Sequence, residues 1–192
     1  MARHAISKAE ASFITKLIRV DQAGELGADL IYRGQYMVLS RTKPEIGPLI
    51  KHMWEQEQHH RRTFNELQQK YRVRPSLLTP IWKVAATGLG CATALLGQEG
   101  AMACTEAVET VIGGHYNTQL RWLHENFPPK EERSKDEEIT SLKSIVKQFR
   151  DEELEHLEIA VENDSHEARP YWLLTETIKA GCRGAIWVAE RV

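Results

Sequence analysis

No run of about 18 uncharged apolar residues occurs in the chain, so no segment reads as a membrane-spanning helix. The opening residues, Met1-Ala2-Arg3-His4, are too few and too polar for a signal peptide, and any targeting segment would lie outside this sequence. Cysteine is scarce. Cys91, Cys104 and Cys182 are odd in number and lack CxxC spacing, which argues against a disulfide framework and a zinc ribbon and points to a reducing compartment. The formal charge is only -2 and the basic residues are dispersed, so nucleic acid is not an expected partner. A Gly-x-Gly-x-x-Gly fingerprint is also missing, and any contact with a nicotinamide cofactor would be unconventional. What is present, 192 residues with 42% hydrophobic content, suffices for one core and is short for two domains.

Helical periodicity dominates the chain. A first helix starts near Ser7 or Ser12 and runs toward Ser40, closed by Pro44, with the inward stripe Ile18, Asp21, Glu25, Ala28, Tyr32, Gln35, Leu39. A second follows Pro48 with Ile50, Met53, Glu57, His60, Phe64, Leu67, Tyr71. Pro75 and Pro80 bracket a turn. Residues 81–103 are the least charged stretch, with Lys83 and Glu99 alone, and Gly88, Gly90, Gly97 and Gly100 permit close packing in a crossover element. The next stripe is Met102, Thr105, Glu109, Ile112, Tyr116, Gln119, Leu123, ending at Phe127-Pro128-Pro129. Residues 130–138 read as a solvated loop or helix start, followed by Leu142, Val146, Phe149, Glu153, His156, Ala160 and a last helix over about 168–191. The expected organisation is all-α in one domain: a helix pair in 1–75, an apolar crossover helix in 76–100, a second pair in 101–166 and a C-terminal helix in 167–192.

The halves repeat. Ala23-x-Glu25-x6-Tyr32-x2-Gln35 aligns without a gap on Ala107-x-Glu109-x6-Tyr116-x2-Gln119, and each copy precedes a helix bearing Glu-x-x-His: Glu57 with His60, then Glu153 with His156. Residues three apart share a helix face, so each pair aims a carboxylate and an imidazole at one point. His60 rather than its neighbour His59 keeps the spacing. Glu25, Glu57, Glu109 and Glu153 supply four negative charges, the balance for two divalent cations, and the histidines add neutral nitrogen. Without metal, some of these carboxylates should stay protonated. The competing reading is of charged helices whose acids face water. Glu55, Asp151, Glu152 and Glu155 lie off the stripe, where solvation or a supporting bond to a ligand histidine are the two readings.

The order Glu, Glu-x-x-His, Glu, Glu-x-x-His resembles the ferritin-like di-iron and di-manganese carboxylate proteins. That resemblance implies a ferritin-like four-helix bundle with an internal pseudo-two-fold repeat and about two extra helices, one apolar. In it Glu57 and Glu153 would bridge two irons, with Glu25 and Glu109 terminal on opposite ions.

Longer runs narrow the resemblance. Arg19-Val20-Asp21-x-Ala23-Gly24-Glu25-x-Gly27-Ala28, Met53-Trp54-x-Gln56-Glu57, residues 95–105, Phe149-Arg150-Asp151-Glu152-Glu153-Leu154-Glu155-His156 and Ala180-Gly181-Cys182-Arg183 resemble the demethoxyubiquinone hydroxylases of ubiquinone biosynthesis over nearly the whole chain. The resemblance implies an O2-dependent mono-oxygenase that converts a 2-polyprenyl-3-methyl-6-methoxy-1,4-benzoquinol to its 5-hydroxy product, with NADH as reductant. His115-Tyr116-Asn117 matches the family's His-Tyr-Asn run, which makes Tyr116 and His115 candidates for catalysis; a core tyrosine with a satisfied hydroxyl is the other reading, for Tyr116 and for its mirror Tyr32. A polyprenyl substrate implies a greasy entrance and a membrane-docking face, for which Trp82, Leu89, Leu95, Leu96 and Trp187 are candidates. The implied address is the matrix side of the mitochondrial inner membrane in a eukaryote, or the cytoplasmic face of a bacterial inner membrane, with a lipid-binding partner protein of the same pathway. A ferritin-like iron-storage or peroxide-reducing protein would use the same ligands, and a non-catalytic prenyl-lipid scaffold is the third reading.

Overall fold

The computed structural model describes residues 7–128 and 137–192. These form six α-helices, α1 (Lys8–Thr42), α2 (Gly47–Lys70), α3 (Thr79–Leu95), α4 (Gln98–Asn126), α5 (Glu137–Glu162) and α6 (Tyr171–Ala189), with a 3-10 turn at Ser165–Glu167 and no strand among the described residues. Residues 130–136 of the charged 130–138 stretch, with Pro129 before them, lie outside the described residues.

Local chemistry sets the ends. Ser7 caps α1 through a capping box: its Oγ accepts the Glu10 N–H at 3.2 Å, and Glu10 Oε2 accepts the Ser7 N–H at 2.7 Å. Pro48 and Pro80 sit in the first turns of α2 and α3, where a missing N–H costs nothing. The apolar 81–103 stretch is not one element. Gly97 has φ +105°, a conformation that glycine adopts without strain, and the chain turns there from α3 into α4. Residues 98–103 therefore belong to the helix that carries Glu109.

α1 packs on α2, and α4 on α5, so each half of the repeat is a Glu helix paired with a Glu-x-x-His helix. Apolar residues fill both ends of this bundle: Ile14, Leu17, Ile18, Phe64, Val146 and Phe149 in one cluster, Tyr32, Leu39, Ile50, Met53, Met102 and Ala160 in another. The acids and histidines occupy the turns between, on the same inward stripes. α3 lies against α1 and α6 against α4. Contact between α1 and α3 is backbone to backbone, since a Cβ on Gly90 would sit 2.1 Å from Ile31 O. α6 is anchored by Glu106, whose carboxylate accepts from Ser165 Oγ and Tyr171 Oη, both at 2.5 Å.

Candidate metal centre

Glu25, Glu57, His60, Glu109, Glu153 and His156 converge in the middle of the bundle, each 1% exposed or less. They form two groups, Glu25-Glu57-His60-Glu153 and Glu57-Glu109-Glu153-His156, and the facing atoms within each lie within 4.8 Å of one another. Glu57 and Glu153 belong to both. His60 Nδ1 is 3.8 Å from Glu57 Oε2 and 3.3 Å from Glu153 Oε1, while His156 Nδ1 is 3.1 Å from Glu57 Oε1 and 3.5 Å from Glu153 Oε2. Each shared carboxylate thus turns one oxygen to each histidine. Glu25 Oε2 stands 3.4 Å from His60 Nδ1.

Hydrogen bonding separates the atoms that face the cluster from those that do not. Both oxygens of Glu57 and Glu153, one oxygen each of Glu25 and Glu109, and Nδ1 of both histidines are buried without a hydrogen-bond partner. Buried polar atoms in that state are costly. Separations of about 3 to 4 Å suit donors gathered around a cation at about 2.1 Å from each, so the donor set fits two divalent ions. The remaining atoms are satisfied from outside. Tyr116 Oη donates to Glu25 Oε1 and Tyr32 Oη to Glu109 Oε1, the latter at 2.9 Å. His60 Nε2 meets Glu152 Oε2 at 2.5 Å and His156 Nε2 meets Gln56 Oε1 at 2.9 Å. Such partners fix the ring so that Nδ1 faces inward.

Electrostatics report the same crowding. Burial, only partly offset by His60, pushes the Glu25 carboxyl up to about 8, and burial together with Glu153 and Glu57 raises Glu109. For the histidines burial opposes the charge, yet the surrounding carboxylates outweigh it: His156 rises to about 10 and His60 is raised too. Burial also works against the Glu153 carboxylate, but His156 and His60 hold it below the ordinary range. Metal-free, the cluster holds protons where cations would balance its charge.

Tyr116 touches this cluster and His115 does not. His115 Nε2 is 2.9 Å from Gln119 Nε2 and 3.7 Å from Asp21 Oδ1, to which Gln119 donates at 2.7 Å. Gln56 was not singled out by spacing, although its place one residue before the shared Glu57, equivalent to Glu152 before Glu153, was a readable signal. Glu152 pairs with His60, while Glu55, Asp151 and Glu155 are exposed.

On the far side of α1 and α4 from this cluster, a cavity of about 420 Å3 opens among α1, α3, α4 and α6. Gly24 and Ala28 flank Glu25 on its wall, Val108 and Ile112 flank Glu109, and Ile31 and Leu89 line it further along. Trp82 also lines the cavity, so Trp82 and Leu89, expected on an outer face, are partly buried instead. Leu95, Leu96 and Trp187 are exposed, joined by Trp172 and Leu173.

The chain matches the family described as Ubiquinone biosynthesis protein COQ7 over residues 12–189. It is 58% identical over 190 residues to the mitochondrial 5-demethoxyubiquinone hydroxylase of Saccharomyces cerevisiae, covering 97% of this chain and 82% of that one. Identity is 50% over 179 residues with the mitochondrial NADPH-dependent 3-demethoxyubiquinone 3-hydroxylase of Homo sapiens, covering 93% and 78%. With the 3-demethoxyubiquinol 3-hydroxylase of Rhodospirillum rubrum it is 45% over 182 residues, covering 95% and 80%. A family match along nearly the full length, on a bundle whose repeat gathers four glutamates and two histidines, means that the chain belongs to the COQ7 family of ubiquinone biosynthesis proteins.

Proposed function

We propose that this chain is a di-iron mono-oxygenase that hydroxylates the ring of a demethoxyubiquinol. The observation that carries the reading is the set of buried, unpartnered carboxylate and imidazole atoms arranged as two groups sharing Glu57 and Glu153. Glu25 and His60 would complete one metal position, Glu109 and His156 the other. Two iron ions held by these six side chains would supply the O2 activation that a mono-oxygenation needs, one oxygen atom going to the ring and the other to water. Tyr32 and Tyr116 hold the terminal carboxylates in place, and Tyr116 is the group positioned to move a proton at Glu25 Oε1. His115 is one step removed, reaching that half through Gln119 and Asp21.

The apolar cavity suits a polyprenyl chain and keeps water from the wall that carries Glu25 and Glu109. Leu95, Leu96, Trp172, Leu173 and Trp187 form the face that docks on the membrane holding the substrate, the inner mitochondrial membrane from the matrix side, where a lipid-binding protein of the pathway is the expected partner. Electrons come from a reduced nicotinamide, NADH on the sequence resemblance and NADPH in the names of the animal relatives.

The test is anaerobic loading with ferrous iron, then O2, reduced nicotinamide and a demethoxyubiquinol, with the hydroxylated product read by mass. Wild-type protein is expected to form product and Glu153→Ala to form none while still binding the quinol. Full turnover by Glu153→Ala would refute the ligand assignment. Iron uptake far beyond two ions per chain without product would mark storage instead, and quinol binding without product in the loaded wild type would mark a scaffold.

A further inference from the structure

The halves of the cluster are built alike but are not alike in charge. Tyr116 on Glu25 is matched by Tyr32 on Glu109, phenol for phenol. The histidine partners are not matched. His60 Nε2 faces a carboxylate, Glu152 Oε2 at 2.5 Å, whereas His156 Nε2 faces a neutral amide oxygen, Gln56 Oε1 at 2.9 Å. The two positions are equivalent: each is the residue immediately before a shared glutamate, and each reaches across the bundle to the histidine of the opposite helix. Glu152 is itself held by Gln148, whose Nε2 donates to Oε1 at 2.9 Å.

Both acceptors require Nε2 to carry the hydrogen and leave Nδ1 as the ligand atom. They do not leave it with the same donor strength. A hydrogen bond to an ionised acceptor is about twice as strong as one to a neutral acceptor and draws the Nε2 proton further from the ring, so Nδ1 of His60 becomes more electron-rich than Nδ1 of His156. The negative charge of Glu152 also stands near one metal position only.

Resting on the two-metal reading above, we propose that the positions are inequivalent, and that the one completed by Glu25 and His60 binds a divalent cation more tightly and fills first because of Glu152. Gln56 keeps the other position weaker. The site loads in order, with a fixed difference between its two ions.

Metal-free protein titrated with cobalt(II) without O2, followed by calorimetry and by visible absorption, tests this. Wild type is expected to show two resolved steps, with His60→Ala removing the tight one and His156→Ala the weak one. Glu152→Gln weakens the tight step by about 10- to 100-fold and leaves the other, while Gln56→Glu tightens the weak step. Because Gln56→Glu adds a partner rather than removing one, it remains decisive if Glu152→Gln does not fold, as judged by circular dichroism. Equal affinities in wild type, or both substitutions leaving both steps unchanged, would overturn the inference. Failure of the two-metal reading looks different: the wild type would take up fewer than two cobalt ions per chain.

Discussion

Glu25 shows what the cluster costs the metal-free chain. In the unfolded chain it titrates near an ordinary glutamate, at 4.5, and in the fold at about 8. Between those values the folded state holds a proton that the unfolded state lacks, so stability falls as pH rises, by up to about 1.4 kcal/mol per unit for one such group. Glu109 acts in the same direction. His156, raised from 6.5 to about 10, contributes stability that is complete below 6.5 and is lost as pH rises toward its folded value. The opposite slope from Glu153, whose carboxylate is held low, falls below its ordinary value and outside this window. The metal-free protein is therefore expected to melt at lower temperature at pH 8 than at pH 6, and a divalent cation to restore it by displacing protons. Thermal scans at the two pH values check this; a higher melting temperature at pH 8 without metal would contradict it.

Among the elements, α3 places the cavity. It can lie close to α1 only because Gly34 and Gly90 present no side chain at the crossing, where a Cβ on Gly34 would meet Cys91 N at 2.8 Å and one on Gly90 would meet Ile31 O at 2.1 Å. Backbone atoms cannot yield as a flexible side chain does. Gly90→Ala is expected to force the helices apart and lower stability by about 1 to 3 kcal/mol, read from urea unfolding, and to weaken quinol binding because Ile31 lines the cavity wall. Gly88, with nothing within 4 Å of its would-be Cβ, is the control: Gly88→Ala should be neutral or slightly stabilising.

At the scale of the molecule, no helix among the described residues is long and apolar enough to cross a membrane, yet large apolar side chains lie open near the α3–α4 turn and on α6. Leu95 and Leu96 are 74% and 62% exposed, so replacing them removes little packing. Leu95→Asp with Leu96→Asp is expected to leave the helical circular dichroism unchanged and to reduce sedimentation with anionic liposomes severalfold. Unchanged sedimentation and activity would show that the docking face lies elsewhere.

The six clustered side chains were legible in the chain because their signal is local. Glu-x-x-His spacing and the repeat of Glu25, Tyr32 and Gln35 in Glu109, Tyr116 and Gln119 are periodicities of a single helix, and they single out all six side chains that converge in the bundle. The Ser7 capping box is local in the same sense. The break at Gly97 was not legible, because low charge marks burial or apolar company but not direction, and a glycine turns the chain only where its φ requires it. Nor was the inward place of Trp82 and Leu89, which face a cavity closed by α6 from the other end of the chain. The pairing of Glu152 with His60 and of Gln56 with His156 spans 92 and 100 residues. Sequence by itself determined which side chains share a helix face; only the tertiary structure decided which faces meet, since that depends on how helices far apart in the chain pack together.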